Sequence, residues 1–249
     1  MAKKVVLVTG GSRGIGAETA LLAAEKGWNL VITYNSKKTE ADLIIKKAQS
    51  FGIRALAVKL DVSNEQEVDE LFKYIDKEFG RLDALINNAG IIKPISSFVD
   101  MPVARIRDVF NVNVVGSFVC AQEAVKRMAL SRGGFGGAIV NVSSTAARIG
   151  GPNEFIDYAA TKGAIDTLTL GLSKEVAVDG IRVNGVRPGM ITTEMHAAAG
   201  DENRPDKFKS AIPMRRAGEA FEVASAIVWL ISEEASYVNG ALLDVAGGR

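Results

Sequence analysis

The sequence predicts an α/β fold: one doubly wound domain whose parallel sheet of about seven strands is covered by helices on both faces. Three observations carry this. Short apolar runs alternate with longer stretches of helical periodicity along nearly the whole chain. The runs are apolar at successive positions rather than at every second one, as in strands buried on both faces. The first run passes straight through a glycine-rich turn into a helical pattern, the start of a right-handed crossover.

Taken in order, Val5–Val8 is the first strand, and Thr9-Gly10-Gly11-Ser12-Arg13-Gly14-Ile15-Gly16 is the turn after it. Backbone N–H groups converge where a helix starts, and the helix dipole adds partial positive charge, so the turn reads as an anion site. Glycines let a phosphate approach the backbone without a Cβ in the way. A kinase-type phosphate loop would need Lys and then Ser or Thr after its last glycine, and Ala17-Glu18 follow instead. The helix Ala17–Lys26 stops at Gly27. Further strands are expected at Leu30–Thr33, Ala55–Leu60, Ala84–Ile86, Ala138–Val142, Ile181–Val186 and Ala241–Val245. Between them helices are expected at Thr39–Phe51, Glu65–Phe79, Val103–Met128, Phe155–Ala177 and Ala220–Ile231. Arg132–Gly137 reads as a surface turn, and Ile191–Pro213 as a long, polar, irregular loop. No repeat or linker interrupts the pattern, so residues 1–249 are expected to form one domain.

Composition narrows the function classes. The chain is 47% apolar with a net charge of +1, which gives no electrostatic case for nucleic acid or an anionic membrane as partner. No apolar run approaches the ~20 residues of a membrane span. In Met1-Ala2-Lys3-Lys4-Val5 and onward the apolar stretch stops after Val8, short of the roughly 7–15 residues of an export signal. The single cysteine, Cys120, lies in an apolar stretch and reads as a buried structural thiol. These features predict a soluble protein of the cytoplasm. No Cys, His and Asp spacing suits a metal, so none is expected.

The chemistry concentrates at Tyr158-Ala159-Ala160-Thr161-Lys162, after Ser143-Ser144. A tyrosine ordinarily titrates near ~10, far from neutrality. On a helix, residues four apart share a face, so the Lys162 ammonium can lie beside the Tyr158 ring. A fixed cation within about 4–6 Å lowers a phenol's pKa by roughly 1–3. A serine hydroxyl can then donate to the same substrate oxygen.

Together these motifs resemble the short-chain dehydrogenase/reductase family, in its one-domain branch, over essentially the whole chain. Thr9–Gly16 matches the family's Thr-Gly-x-x-x-Gly-x-Gly motif, and Asn87-Asn88-Ala89-Gly90 its Asn-Asn-Ala-Gly motif. Asn113, Ser144, Tyr158 and Lys162 fall on its four catalytic positions, and Pro188-Gly189 on the turn beside the nicotinamide. The loop Thr145–Asp157 carries one more residue than many relatives, which leaves either Ser143 or Ser144 to face the substrate; Ser144 is chosen. The resemblance implies a Rossmann-type domain and hydride transfer between nicotinamide and a carbonyl or secondary alcohol, with Tyr158 as general acid/base. It implies that Lys162 acidifies Tyr158 and holds the nicotinamide ribose, and that Asn113 kinks its helix and supports a water chain. Gly10, Ser12, Arg13, Gly14, Ile15, Gly16, Asn88, Ala89, Gly90, Pro188, Gly189, Ile191 and Thr193 would contact the cofactor, with Asp61 and Val62 at the adenine.

The second strand ends Thr33-Tyr34-Asn35-Ser36-Lys37-Lys38, with no acid before Glu40 to accept from a ribose 2′-hydroxyl. Asn35, Ser36 and Arg13 would instead hold a 2′-phosphate, so NADPH is expected over NADH. The leading activity is reduction of a small or medium carbonyl compound. The alternatives are a 3-oxoacyl-acyl-carrier-protein reductase and a sugar dehydrogenase such as glucose 1-dehydrogenase, with a non-catalytic dinucleotide sensor as the reading from another class. Asp179 stands where a carrier-protein reductase would be expected to have a cation; Arg132 is its partial support. Thr145, Arg148, Phe155, Met190, Met195 and His196 are the expected pocket lining, with His196 not an acid–base group. Small and apolar residues around Phe155–Ala177 suit packing on a partner helix as well as on the sheet, so a homotetramer is expected.

Overall fold

The computed structural model describes residues 3–249. Met1 and Ala2, part of the segment read above for an export signal, lie outside the described residues. The first half of the chain forms β1 (Val5–Val8), α1 (Gly14–Glu25), β2 (Asn29–Tyr34), α2 (Lys38–Gln49), β3 (Ala55–Lys59), α3 (Glu65–Phe79) and β4 (Ala84–Asn87). Next come α4 (Val103–Phe110), a π turn (Asn111–Val115), α5 (Gly116–Met128), β5 (Gly137–Val142), α6 (Ala146–Ile149), α7 (Ile156–Glu175) and β6 (Ile181–Pro188). The remainder is β7 (Ile191–Thr192), α8 (Met195–Ala198), α9 (Arg204–Phe208), β8 (Gly218–Glu219), α10 (Ala220–Ile231) and β9 (Leu242–Val245).

Seven strands make one sheet in the order β3-β2-β1-β4-β5-β6-β9, and every pairing is parallel. The winding reverses between β1 and β4, which opens a crevice beyond their carboxyl ends. Alternate residues of each strand feed two cores. Val6, Val8, Leu30, Ile32, Ile86 and Val140 pack against α1 and α10 through Ala20, Ala24, Val223 and Ile227. Val5, Leu7, Val31, Leu85 and Ile139 pack on the other face against Leu71, Phe72 and Ile75 of α3 and Ala124 and Met128 of α5. The caps of α3 are legible in the sequence. Asn64 accepts from the N–H groups of Gln66 and Glu67, and Gly80 closes the helix at φ +67°.

One expectation is refined and one needs correction. The helix expected over Val103–Met128 spans those residues, with a π turn at Asn111–Val115 where the resemblance implies a kink at Asn113. Two local demands explain the π turn. The Asn113 amide is committed to the Ile91 backbone, and Gly116 approaches Val62 so closely that a Cβ would lie 2.8 Å from the Val62 carbonyl oxygen. A π turn re-aims a side chain without ending the helix, and Asn113 is left only 1% exposed. Residues 191–213 are not irregular. They hold β7, α8 and α9, and β7 pairs with β8. Helices of four and five residues are too short for apolar periodicity to reveal them.

Phe72 is the largest fully buried side chain of the second core. Phe72→Ala is expected to cost about 3–5 kcal/mol of unfolding free energy, read from denaturant midpoints by circular dichroism.

Candidate active site

The glycine turn is laced to the end of β4. The Thr9 hydroxyl accepts from the N–H groups of Asn88 and Ala89, both at 3.0 Å, and donates to the Ile86 carbonyl. The Asn88 amide donates to the carbonyls of Thr9 (2.9 Å) and Gly10 (3.0 Å). Asn88 therefore holds the turn from behind. A Cβ on Gly16 would lie 2.4 Å from the Gly10 carbonyl oxygen, and Gly10 has φ +66°. Ser12 is buried, and Ile15 is half-buried against the first core. The result is bare backbone at the start of a twelve-residue helix, which suits a pyrophosphate.

Around the turn, Thr193 reaches over Gly14, 3.4 Å from where a Cβ would stand, and Arg13 pairs with Glu194 at 3.0 Å. Asn35 and Ser36 are exposed at the end of β2, followed by the ion pair Lys37–Glu40. The Glu40 carboxyl lies below its ordinary range through its own backbone N–H and Lys37, with Arg13 adding to the pull. At the end of β3, Asp61 accepts from the N–H and hydroxyl of Ser63, and Val62 is buried under Gly116.

Tyr158 and Lys162 lie on α7, facing the end of β5. The Lys162 ammonium donates to the Val142 carbonyl at 2.7 Å and lies 5.4 Å from the Tyr158 ring centroid. The Ser143 hydroxyl is spent on the Lys162 carbonyl (3.1 Å), which leaves Ser144 as the serine beside the Tyr158 hydroxyl. Asn113 bonds both backbone groups of Ile91 and donates to the Thr161 hydroxyl, which donates to the Tyr158 carbonyl. Gly90 lies between these groups, since a Cβ there would be 3.3 Å from Asn113 Oδ1 and 3.8 Å from Lys162 Nζ.

From sequence, Lys162 is expected to acidify the phenol, and here the direction reverses. Burial pushes Tyr158 up to about 12, against the pull of the Ser144 hydroxyl. Burial also draws Lys162 down to about 8, opposed by the Asp166 carboxylate. The cause is geometric. The ammonium is aimed at Val142 and lies beside the ring, so loss of water outweighs it. At neutral pH the phenol is protonated, the state a proton donor needs.

The opposite wall comes from β6 and the segment after it. The Pro188 carbonyl accepts from the Thr145 N–H, and Gly189 approaches Ala246 so closely that a Cβ would be 2.8 Å from its Cα. Ile191 and Met190 are buried, and Met195 is exposed. Arg204 of α9 fastens this cover. It grips both Glu154 oxygens and stacks between Phe155 (5.2 Å) and Phe208 (4.7 Å). His196 is half-buried with Nε2 2.8 Å from the Ile191 carbonyl oxygen, and burial lowers its pKa. Arg148, paired with Asp244 at 3.0 Å, lines a pocket together with Met190 and Ile191.

A family model described as enoyl-(acyl carrier protein) reductase matches residues 10–249. A solved short chain dehydrogenase from Burkholderia cenocepacia, in complex with NADP, is 32% identical with a TM-score of 0.91, covering 99% of this chain and 98% of that one. The chain belongs to the short-chain dehydrogenase/reductase family of oxidoreductases. It is 53% identical to the uncharacterized oxidoreductase YgfF of Escherichia coli over 98% of this chain and 99% of that protein. It is 36% identical to the 3-oxoacyl-acyl-carrier-protein reductase FabG of Staphylococcus epidermidis, over 98% of each. The acetoin dehydrogenase YohF of Salmonella typhimurium superimposes with a TM-score of 0.86 at 37% identity, over 99% of this chain and 96% of that one.

Sequence reasoning passed over Thr161 and missed what Thr9 and Ser143 do. Their hydroxyls take meaning only from their partners. Arg204 lies in a segment read as irregular. Cys120 is buried as expected, its thiol pushed up to about 12 by burial. Among the described residues there is no group of three His, Cys, Asp or Glu placed to hold a metal, and no helix is long and apolar enough to cross a membrane.

Arg204→Ala leaves the Glu154 carboxylate without its partner. It is expected to loosen residues 195–212 by about 1–3 kcal/mol, seen as faster amide exchange there and unchanged exchange in β4 and β5.

Proposed function

We propose that this chain is an NADPH-dependent reductase of a small or medium carbonyl compound, running reversibly as an alcohol dehydrogenase. The reading rests on one observation: Ser144, Tyr158 and Lys162 converge at the carboxyl end of β5, across from the bare backbone at Gly90. Residues 1–249 act as one domain in the cytoplasm, with residues 191–213 as the substrate cover.

The residues present fit a dinucleotide. Gly10, Ser12, Gly14, Ile15 and Gly16 would hold the pyrophosphate on backbone that Gly10, Gly14 and Gly16 keep free of side chains. Asn35, Ser36 and Arg13 would take the 2′-phosphate, Asp61 and Val62 the adenine, Asn88, Ala89 and Gly90 the riboses. Pro188, Gly189, Ile191 and Thr193 would bracket the carboxamide. When bound, the cofactor supplies or accepts the hydride. The rest is the protein's work. Tyr158, protonated at neutral pH, gives its proton to the substrate oxygen as that oxygen gains charge, and Ser144 donates a second hydrogen bond to it. Lys162 stabilises the phenolate left behind, and Asn113, through Thr161, holds that stretch of α7 in register.

A small substrate is supported by the likeness to an acetoin dehydrogenase, and NADPH by the NADP-bound relative. The likeness to a carrier-protein reductase favours acyl thioesters as the second reading. Against it, Asp179, which accepts from the Ser131 N–H at 2.9 Å, puts an acid beside the turn that carries Arg132, which weakens any basic dock for an acidic carrier. Exposed apolar residues support a homotetramer: Val115, Phe118 and Leu170 on the π turn, α5 and α7, and Phe221, Trp229 and Leu243 on α10 and β9.

Turnover of acetoin and diacetyl is expected to exceed that of acetoacetyl thioesters; the reverse order selects the second reading. Tyr158→Phe is expected to bind NADPH normally while losing about 100-fold or more in turnover, and near wild-type turnover would remove Tyr158 from the mechanism. NADPH is expected to show a lower Kd than NADH in fluorescence titration. Light scattering at micromolar concentration is expected to give four times the chain mass, and a monomer would refute the assembly.

A further inference from the structure

Tyr158, Lys162 and Asp166 follow one another at four-residue intervals, so a third polar group lies on the same face of α7. Asp166 is only 8% exposed. Its Oδ2 accepts from Arg187 on β6 through both Nε (2.9 Å) and Nη2 (2.7 Å), while its Oδ1 is buried without a hydrogen-bond partner. The grip is end-on. An arginine that served only to neutralise the carboxylate would engage both oxygens, as Arg105 does at Asp157 and Arg204 at Glu154. Arg187 is also shared, since Asp244 lies 3.8 Å from it on the far side. A buried carboxylate with one bare oxygen is costly unless some other positive charge uses it.

The charged groups on the elements packed against this face of α7 leave few candidates. On α7 there are Tyr158 and Asp166, and β6 contributes Arg187. From α4 comes Arg105, closed by Asp157, and from α6 Arg148, closed by Asp244. From β5, the residue after it and the π turn come Asn141, Ser143 and Asn113, which do not titrate in the neutral range. Asp166, one turn on along α7, is the buried carboxylate on the Lys162 face, and its charge opposes the burial that draws the ammonium down.

We propose that Asp166 is a positioning residue for the reaction: held end-on by Arg187, its carboxylate stabilises the Lys162 ammonium from one helical turn behind. The proposal deepens the reading of Lys162 as the cation of the site and rests on it. Asp166 touches no reacting atom and acts through Lys162 alone.

The test reads Lys162 directly in the cofactor-free protein. Protein labelled with [ε-13C]lysine is titrated by NMR, the Lys162 signal being the one lost in Lys162→Met. Wild type is expected to titrate near 8. In Asp166→Asn, Arg187 is left as an unbalanced cation, and the midpoint is expected to fall by about one pH unit or more. Asp166→Glu is expected to recover part of the fall. The double variant Asp166→Asn/Arg187→Met removes both charges, keeps the interior neutral should the single variant fold poorly, and is expected to titrate between the single variant and wild type. In turnover, the alkaline limb of the kcat profile for carbonyl reduction should move down with the NMR midpoint. A Lys162 midpoint unchanged in both the single and the double variant overturns the proposal. Because that midpoint is measured without cofactor or substrate, it fails separately from the proposed activity, which the Tyr158→Phe assay tests.

Discussion

A reciprocal pair of hydrogen bonds locks the end of β5 to the middle of α7. The Lys162 ammonium donates to the Val142 carbonyl, and the Ser143 hydroxyl donates back to the Lys162 carbonyl. With both bonds made, the lysine cannot swing away, and the strand end cannot shift without dragging the helix. Everything the site does is arranged around that fixed ammonium. Ser144, two residues past the strand, accepts from the Ala146 N–H and meets the Tyr158 hydroxyl, and Gly90 leaves room beside the Lys162 ammonium.

Burying such groups in a mostly apolar crevice demands that every polar neighbour be satisfied, and the interior answers with a connected amide and hydroxyl network. Asn87 donates to the Ser117 carbonyl and to Asn141, and Asn141 donates to Thr169, which bonds back to its own helix at Ile165. A second branch runs from Ile91 through Asn113 and Thr161 to Tyr158. These chains cross from β4 to β5 and on to α7, so the three elements that carry the site hold a common register. The π turn is part of this arrangement, because it carries Asn113, which bonds both backbone groups of Ile91.

Much of this was legible from the chain alone where the signal is local and repeated. Short, β-branched, wholly apolar runs such as Val5–Val8, bounded by glycine, read as strands buried on both faces, and a glycine turn between strand and helix suits an anion. Tyr158 and Lys162 could be placed on one face by counting. What was not legible depends on partners far along the chain. Asp166 looks like any solvated helix acid until Arg187 is seen beneath it, and Arg204 looks like loop charge until Phe155 and Phe208 close around it. The direction of the Tyr158 shift was misjudged for the same reason: spacing reveals that a cation is near, and it does not reveal where the cation points or how dry the phenol is.

The lacing of the glycine turn has a consequence for how the molecule comes into being. The Thr9 hydroxyl finds its partner on Ala89, 80 positions later. A nascent chain leaving the ribosome therefore has its phosphate-binding glycines early, yet they stay unshaped until β4 has been synthesised and threaded beside β1. The cradle matures late, assembled from two distant pieces, and a truncated product ending before Asn88 would own the motif without the geometry.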